Sequence, residues 1–200
     1  MSEKAYLSKV YNLKSPEAVR DYYDAWSDSY DHELMSQGYA TPGRCAAALL
    51  SLGVLLDASI LDFGCGTGVS GTAFQFKGFA NLHGCDLSVE MLAKAEAKGI
   101  YSNTFVVPAG AALPGGYDVV AAVGVIGAGS APPEAFDAAI AAVKPSGLFV
   151  WSYNDHALED PRFPAKIDEH IAKGAKLVFQ EHGPHIPGIG LSSTVYVLKT

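Results

Sequence analysis

Residues 60–68 read ILDFGCGTG, an apolar strand running into a turn where Gly64, Gly66 and Gly68 alternate with Cys65 and Thr67. Glycine at these positions lets the backbone take positive φ and lets a ligand approach without meeting a Cβ. The helix expected next, at about 68–77, would direct free N–H groups at that ligand. Twenty-two residues past Gly64, the apolar stretch NLHGCDLS reaches Asp86. That is the spacing of a βαβ unit, and an acid at the tip of the second strand can accept both hydroxyls of a ribose. Leu87 beside it can cover one face of a base. The turn is therefore predicted to hold a nucleoside-bearing ligand. The dinucleotide fingerprint G-x-G-x-x-G would place glycine at 69, where the chain has Val69; with Asp62, this disfavours a nicotinamide-dependent oxidoreductase.

Working outward, helix and strand alternate. Strands are expected at 59–63, 82–85, near 104–107 and at 118–123, with helices at about 68–77 and 88–98, an order that predicts a mostly parallel sheet covered on both faces. Two helices precede the glycine turn. One spans 15–35, with Ser15 as cap and Pro16 in its first turn; the other spans 41–56, with Thr41 as cap. PPEAFDAAIAAV reads as a further helix, and VKPSGLFVWSY as a turn into strand five. The Gly/Pro-dense HGPHIPGIG (182–190) reads as a long hairpin loop between the last strands. His182 and His185 are expected to be exposed in that loop.

The residues ILDFGCGTG, followed by a second strand ending in Asp86-Leu87-Ser88, resemble the class I S-adenosylmethionine (SAM) dependent methyltransferases. The likeness runs on through VKPSG before strand five and through YYDAWSDSYDHEL, which is similar to the helix lying over the cofactor in small-molecule members. That opening and the overall length also resemble the methyltransferase-like proteins of the Williams–Beuren region type. The resemblance implies a Rossmann-like α/β fold with a seven-stranded, mostly parallel sheet and an antiparallel C-terminal hairpin strand. It implies one domain over 1–200, with 15–56 as N-terminal helices covering the cofactor, and transfer of a methyl group to a small molecule. Its cofactor residues carry over as Asp62, Gly64, Cys65 (through its backbone) and Gly66 in the turn, and as Asp86 on the ribose with Leu87 beside it. Val123 and Gly124 would offer backbone groups near the methionine amine. Met91 is read first as core and second as an adenine contact, and Tyr30 as a cofactor contact or a helix-packing residue.

The chain departs from the family in two places. Where a D-A-x-x-L-P segment would supply an acid for the adenine amino group, this chain reads PAGAALP, so recognition falls to backbone groups near Ala109, Gly110 and Ala111. After strand four, VGVIGAG carries Gly127 and Ala128 where many small-molecule enzymes have histidine. The sulfonium of SAM already activates the methyl group, so placement and water exclusion can suffice. Where a proton must leave, Tyr22, Tyr30, Tyr153 and His156 are candidates, with Asn154 a further residue after strand five. A non-catalytic SAM-binding sensor or interaction protein is the alternative that the missing base and Ala109 leave open.

Composition limits the partners. With 200 residues, 49% of them hydrophobic, the chain can bury one substantial core. The formal charge is −7, and Arg20, Arg44 and Arg162 are its only arginines, so no basic stripe suits nucleic acid. SAPPEA lacks the acid or amide and the aromatic of an (N/D)PP(Y/F) segment. Cys45, Cys65 and Cys85 form no CxxC or Cys/His pattern and read as small buried thiols, with no metal site expected. MSEKAYLSKV lacks a hydrophobic signal core and no apolar run reaches the ~20 residues of a membrane span, so the cytoplasm is expected.

Overall fold

A computed structural model describes Tyr6, Leu13 and residues 15–200. Most of the N-terminal segment on which the expectation about a leader rests lies outside the described residues. In chain order the elements are α1 Pro16–Trp26, α2 Tyr30–Ser36, α3 Thr41–Ser51, β1 Ile60–Phe63, α4 Val69–Phe76, β2 Leu82–Asp86, α5 Val89–Ala97, β3 Asn103–Val106 and β4 Tyr117–Ala122. Then follow α6 Ala135–Ala142, β5 Val143–Asn154, α7 Asp155–Leu158, α8 Arg162–Ala172, β6 Lys176–Ile186 and β7 Leu191–Lys199. Among the described residues, no helix is long and apolar enough to cross a membrane.

The strands form one sheet in the order β3-β2-β1-β4-β5-β7-β6. Strands β1 to β5 pair in parallel and β7 runs antiparallel between β5 and β6, as the sequence predicts. Alternate residues of the central strands face opposite ways. Leu61, Val120, Ala122, Phe149 and Trp151 pack with α6 and α8 through Phe136, Ala139, Phe163 and Ile167. Ile60, Val119, Ala121 and Val150 pack on the other face with Cys45, Ala46 and Leu49 of α3 and Phe74 of α4. Burial on both faces is why these strands read as unbroken apolar runs. The order reverses between β1 and β4, and such a switch point opens a crevice beyond the strands' carboxyl ends.

Three local expectations are corrected. The helix expected over 15–35 is two helices, because Ser27-Asp28-Ser29 interrupts it. Ser27 Oγ donates to the Asp24 carbonyl at 2.8 Å, one of the local bonds by which such residues compete with helix continuation. Trp26 and Tyr30 nonetheless meet, across the break, as a T-shaped ring pair with centroids 4.7 Å apart. The helix over 41–56 ends at Ser51, and Thr41 lies inside its first turn rather than capping it. The loop expected over 182–190 shrinks to Pro187–Gly190, since β6 continues to Ile186. Pro184 is tolerated there because β6 is an edge strand.

Candidate active site

The glycine turn is built by the main chain. Gly64 and Cys65 both donate their N–H to the Cys85 carbonyl (2.8 and 3.0 Å), and Gly68 N–H closes back on the Cys65 carbonyl at 2.8 Å. Gly64, Gly66 and Gly68 take φ of 70°, 53° and 89°, the left-handed region where any other residue is strained. At Gly64 a Cβ would also lie 2.5 Å from Val125 Cγ2, so the turn after β1 and the loop after β4 touch at the switch point.

Asp86 closes the turn from the side. Its Oδ2 accepts Gly66 N–H at 2.8 Å and its Oδ1 accepts Ser88 N–H at 2.9 Å. Burial pushes its carboxyl above the usual range, and the backbone donors pull the other way. Each oxygen keeps a further lone pair. Ser88 caps α5 by accepting Met91 N–H at 3.0 Å and donates its own proton to Asp24 of α1. Thr67 donates to Asp31, and Lys98 reaches the same carboxylate at 2.6 Å. Thus α1 and α2 are tied by their acids to the glycine turn and to α5.

Between these elements lies a cavity of about 590 Å³, within the range of sites for cofactor-sized ligands. It brings together Tyr30, Gly64 and Gly66 with Asp86, Leu87 and Met91. Ala109, Gly110 and Ala111 form another part of its wall, and Val123 and Gly124 a third. Pro16, Val19 and Tyr23 of α1 line it as well, whereas α3 contributes no lining residue; of the stretch 15–56, α1 and α2 alone cover the cavity.

Asp62 and Cys65 do not line the cavity. Asp62 is fully buried behind the turn, its Oδ2 accepting Ser70 Oγ–H and Tyr101 O–H, both at 2.6 Å. Its Oδ1 has no hydrogen-bond partner among the described residues. Burial pushes the carboxyl up to about 6. The Tyr101 ring occupies space that three glycines leave open: a Cβ at Gly71 would lie 2.3 Å from its hydroxyl, and at Gly68 and Gly84 3.3 Å from its ring. Tyr101 is a residue that sequence reasoning missed; the glycines at 68, 71 and 84 were its signal.

A smaller cavity of about 60 Å³ adjoins the larger one, sharing Tyr23, Tyr30, Gly124 and Ser130 with it. Trp26, Tyr39, Ser152, Asn154 and His185 also line this annex. Of the candidate bases, only Tyr30 reaches either cavity, and burial holds its hydroxyl well above the usual phenol range, hence protonated. Tyr153 is buried in the core and donates to the Phe163 carbonyl at 3.2 Å. His156 lies on exposed α7, 3.6 Å from Glu159, and Tyr22 donates to the Tyr6 carbonyl at 2.7 Å.

His185, expected in an exposed loop, is buried. Its Nδ1 lies 2.7 Å from Thr41 Oγ1, which lies 2.9 Å from Ser193 Oγ. Burial, with the Arg44 charge nearby, lowers its imidazole to about 4. His182 is exposed, 3.3 Å from Asp155.

A family profile described as a methyltransferase domain matches residues 38–188. The human methyltransferase-like protein 27 is 34% identical over 133 residues, 64% of this chain; the chain spans about half (54%) of that relative's length. Among solved structures, magnesium protoporphyrin IX methyltransferase from Synechocystis, with bound S-adenosylhomocysteine (SAH), superposes with a TM-score of 0.70 at 18% identity, covering 92% of this chain and 99% of that one. A SAM-dependent methyltransferase from Mesorhizobium loti gives 0.59 at 16% identity over 78% and 98%. With the switch-point cavity and the glycine turn in place, the profile match over most of its length makes this chain a member of the class I SAM-dependent methyltransferase family.

Proposed function

We propose that the larger cavity holds SAM and that the protein transfers its methyl group to a small-molecule acceptor. The observation that carries this reading is the Asp86 carboxylate, fixed at the tip of β2 by Gly66 and Ser88 N–H beside a cavity of about 590 Å³. A carboxylate so held fits a ribose diol, with a lone pair left on each oxygen. The unsubstituted Gly66, with nothing within 4 Å of where a Cβ would stand, leaves room for the amino-acid arm, and Gly64 lets the turn pack on Val125 beside it. Val123 and Gly124 supply main-chain groups to its amine, and the backbone of 109–111 lies where adenine would sit, flanked by Leu87 and Met91. Asp62 and Cys65 act behind the turn, holding its shape.

When bound, SAM supplies a sulfonium-activated methyl group for in-line displacement. The chain's own part is to orient and to exclude water. Tyr23 and Tyr30 stand where the cavity meets the annex, and the protonated Tyr30 hydroxyl can donate a hydrogen bond there but cannot accept a proton. The formal charge of −7 and the lack of a basic stripe support a small acceptor over nucleic acid. Confinement of the cavity beneath α1 and α2 supports residues 1–200 working as one unit, and the composition suits the cytoplasm.

The absence of a base among the candidates at the cavity favours one second reading, a SAM-binding protein without turnover. Methyl-labelled SAM incubated with a broad panel of small metabolites separates the two. Label transfer to a member of the panel is expected. Stabilisation by SAM and SAH with no transfer to any member would favour the sensor, and stabilisation by NAD(P) instead would overturn both.

A further inference from the structure

The annex is lined by polar groups that have protons to give. Arg44 Nη1 donates to Ser193 Oγ at 3.1 Å, and Ser193 is fully buried. Its hydroxyl proton finds an acceptor among the described residues only at Thr41 Oγ1, 2.9 Å away. Thr41 then donates to His185 Nδ1 at 2.7 Å. The reverse order would strand the Ser193 proton in the core, a penalty that buried hydroxyls avoid. The chain Arg44, Ser193, Thr41, His185 therefore runs one way and leaves the imidazole proton on Nε2. That nitrogen has no hydrogen-bond partner among the described residues, on a side chain that lines the annex.

Three neighbours share this character. The Trp26 indole is buried and its Nε1–H has no partner among the described residues. Ser152 Oγ accepts Gly124 N–H at 3.1 Å and retains its own proton. Asn154 uses its carbonyl oxygen to cap α7, which leaves its amide protons. No lysine or arginine lines the annex. The walls are thus donor-rich, uncharged and aromatic.

We propose that the annex is the subsite for the acceptor's nucleophilic end and that it selects a weakly acidic O–H or S–H group there, held by the Nε2–H of His185 on the nucleophilic oxygen or sulfur. This rests on the reading that the larger cavity holds SAM. The selection is a matter of lone pairs. An ionised oxygen or sulfur accepts the His185 hydrogen bond with one lone pair and attacks with another, whereas an amine nitrogen has a single lone pair and cannot do both. The acceptor's proton leaves to water, a lone pair of its oxygen or sulfur bonds to the methyl carbon, and the electron pair of the broken C–S bond stays on the cofactor sulfur. His185 serves as a donor throughout and is not a base.

The test combines nitrogen-15 histidine NMR on the wild-type protein with two probes. In the free protein, the His185 resonances should show Nε2 protonated and Nδ1 bare; a proton on Nδ1, or on both, overturns the assignment. Binding of SAH is then measured, and its failure counts against the cofactor reading itself. With SAH bound, para-nitrophenol is titrated while absorbance reports its ionisation. On the wild-type protein the bound phenol should ionise about tenfold more readily than on His185→Leu, the size of one hydrogen bond to a charged atom. His185→Gln, which retains an N–H, should restore part of that shift. Para-nitroaniline should bind about tenfold more weakly than the phenol. SAH binding with no shift in the phenol, with equal affinity for the aniline, or with no binding of either probe overturns the proposal while leaving the cofactor reading intact.

Discussion

The two cavities that meet at Tyr30 and Gly124 are built in opposite ways. The larger is lined mostly by short contiguous segments, a glycine turn whose shape the main chain sets, a strand tip and two loops, placed by the reversal of strand order between β1 and β4. The smaller is made of side chains that converge from four separate stretches, around residues 23–39, 124–130, 152–154 and 185–186. Main-chain sites depend on local conformation and leave a mark in contiguous sequence. Sites made of converging side chains depend on tertiary packing and leave none.

The largest expected effect falls on the main-chain half. Gly64→Ala places a Cβ 2.5 Å from Val125 at a φ of 70°, combining backbone strain with a clash, and should cost about 3 kcal/mol. Gly110→Ala carries a similar φ of 75° with nothing within 4 Å and should cost only the strain, about 1 kcal/mol. Urea unfolding of the two variants checks this; equal losses would mean that Val125 yields freely and that the two loops are not coupled.

Next comes the buried support beneath the turn. Burial raises the Asp62 carboxyl from 3.8 to about 6, so the folded chain holds that proton more tightly than the unfolded one. Its contribution to stability is full below the unfolded value and is lost as pH rises through about 6, a change of roughly 3 kcal/mol at most. Asp62→Asn should flatten this part of the pH–stability curve. Asp118 has the opposite sign: Lys144 and Ser59 hold its carboxyl near 2, so its stabilisation is present above pH ~4 and lost as pH falls from there through about 2. A curve unchanged by Asp62→Asn would contradict the buried-acid account.

The smallest effect lies at the entry to β5. Ser146 has a φ of 65° in the KPSG turn, the left-handed region that favours glycine. It is exposed, so Ser146→Gly should relieve strain at little other cost and stabilise by about 1 kcal/mol. A loss of stability would show that the serine side chain supports the turn.

The same contrast explains what was legible in the sequence. ILDFGCGTG and Asp86 carry the fold and one wall of the larger cavity, because φ-positive glycines and a strand-tip acid act where they stand. Tyr101 was missed since its role depends on three glycines from different elements. The family motif marks Asp62 but not which way its side chain faces, which is towards Ser70 and Tyr101 behind the turn. His185 was read as exposed because Gly183, Pro184 and Pro187 resemble a loop, while an edge strand accommodates them and carries the imidazole inward to Thr41. The break at Ser27–Ser29 was hidden by the aromatic spacing of Trp26 and Tyr30, which meet whether or not one helix joins them.

The central claim is that a nucleoside cofactor sits in the larger cavity with its ribose on Asp86. It is tested most directly by calorimetric titration of SAH into the wild-type protein and into Asp86→Ala, with folding of both checked by circular dichroism. The account predicts binding at one site in the wild type and a loss of about a hundredfold in the variant, since two hydrogen bonds to a charged group are removed. Equal affinity in the two folded proteins, or no binding to the wild type, would contradict it.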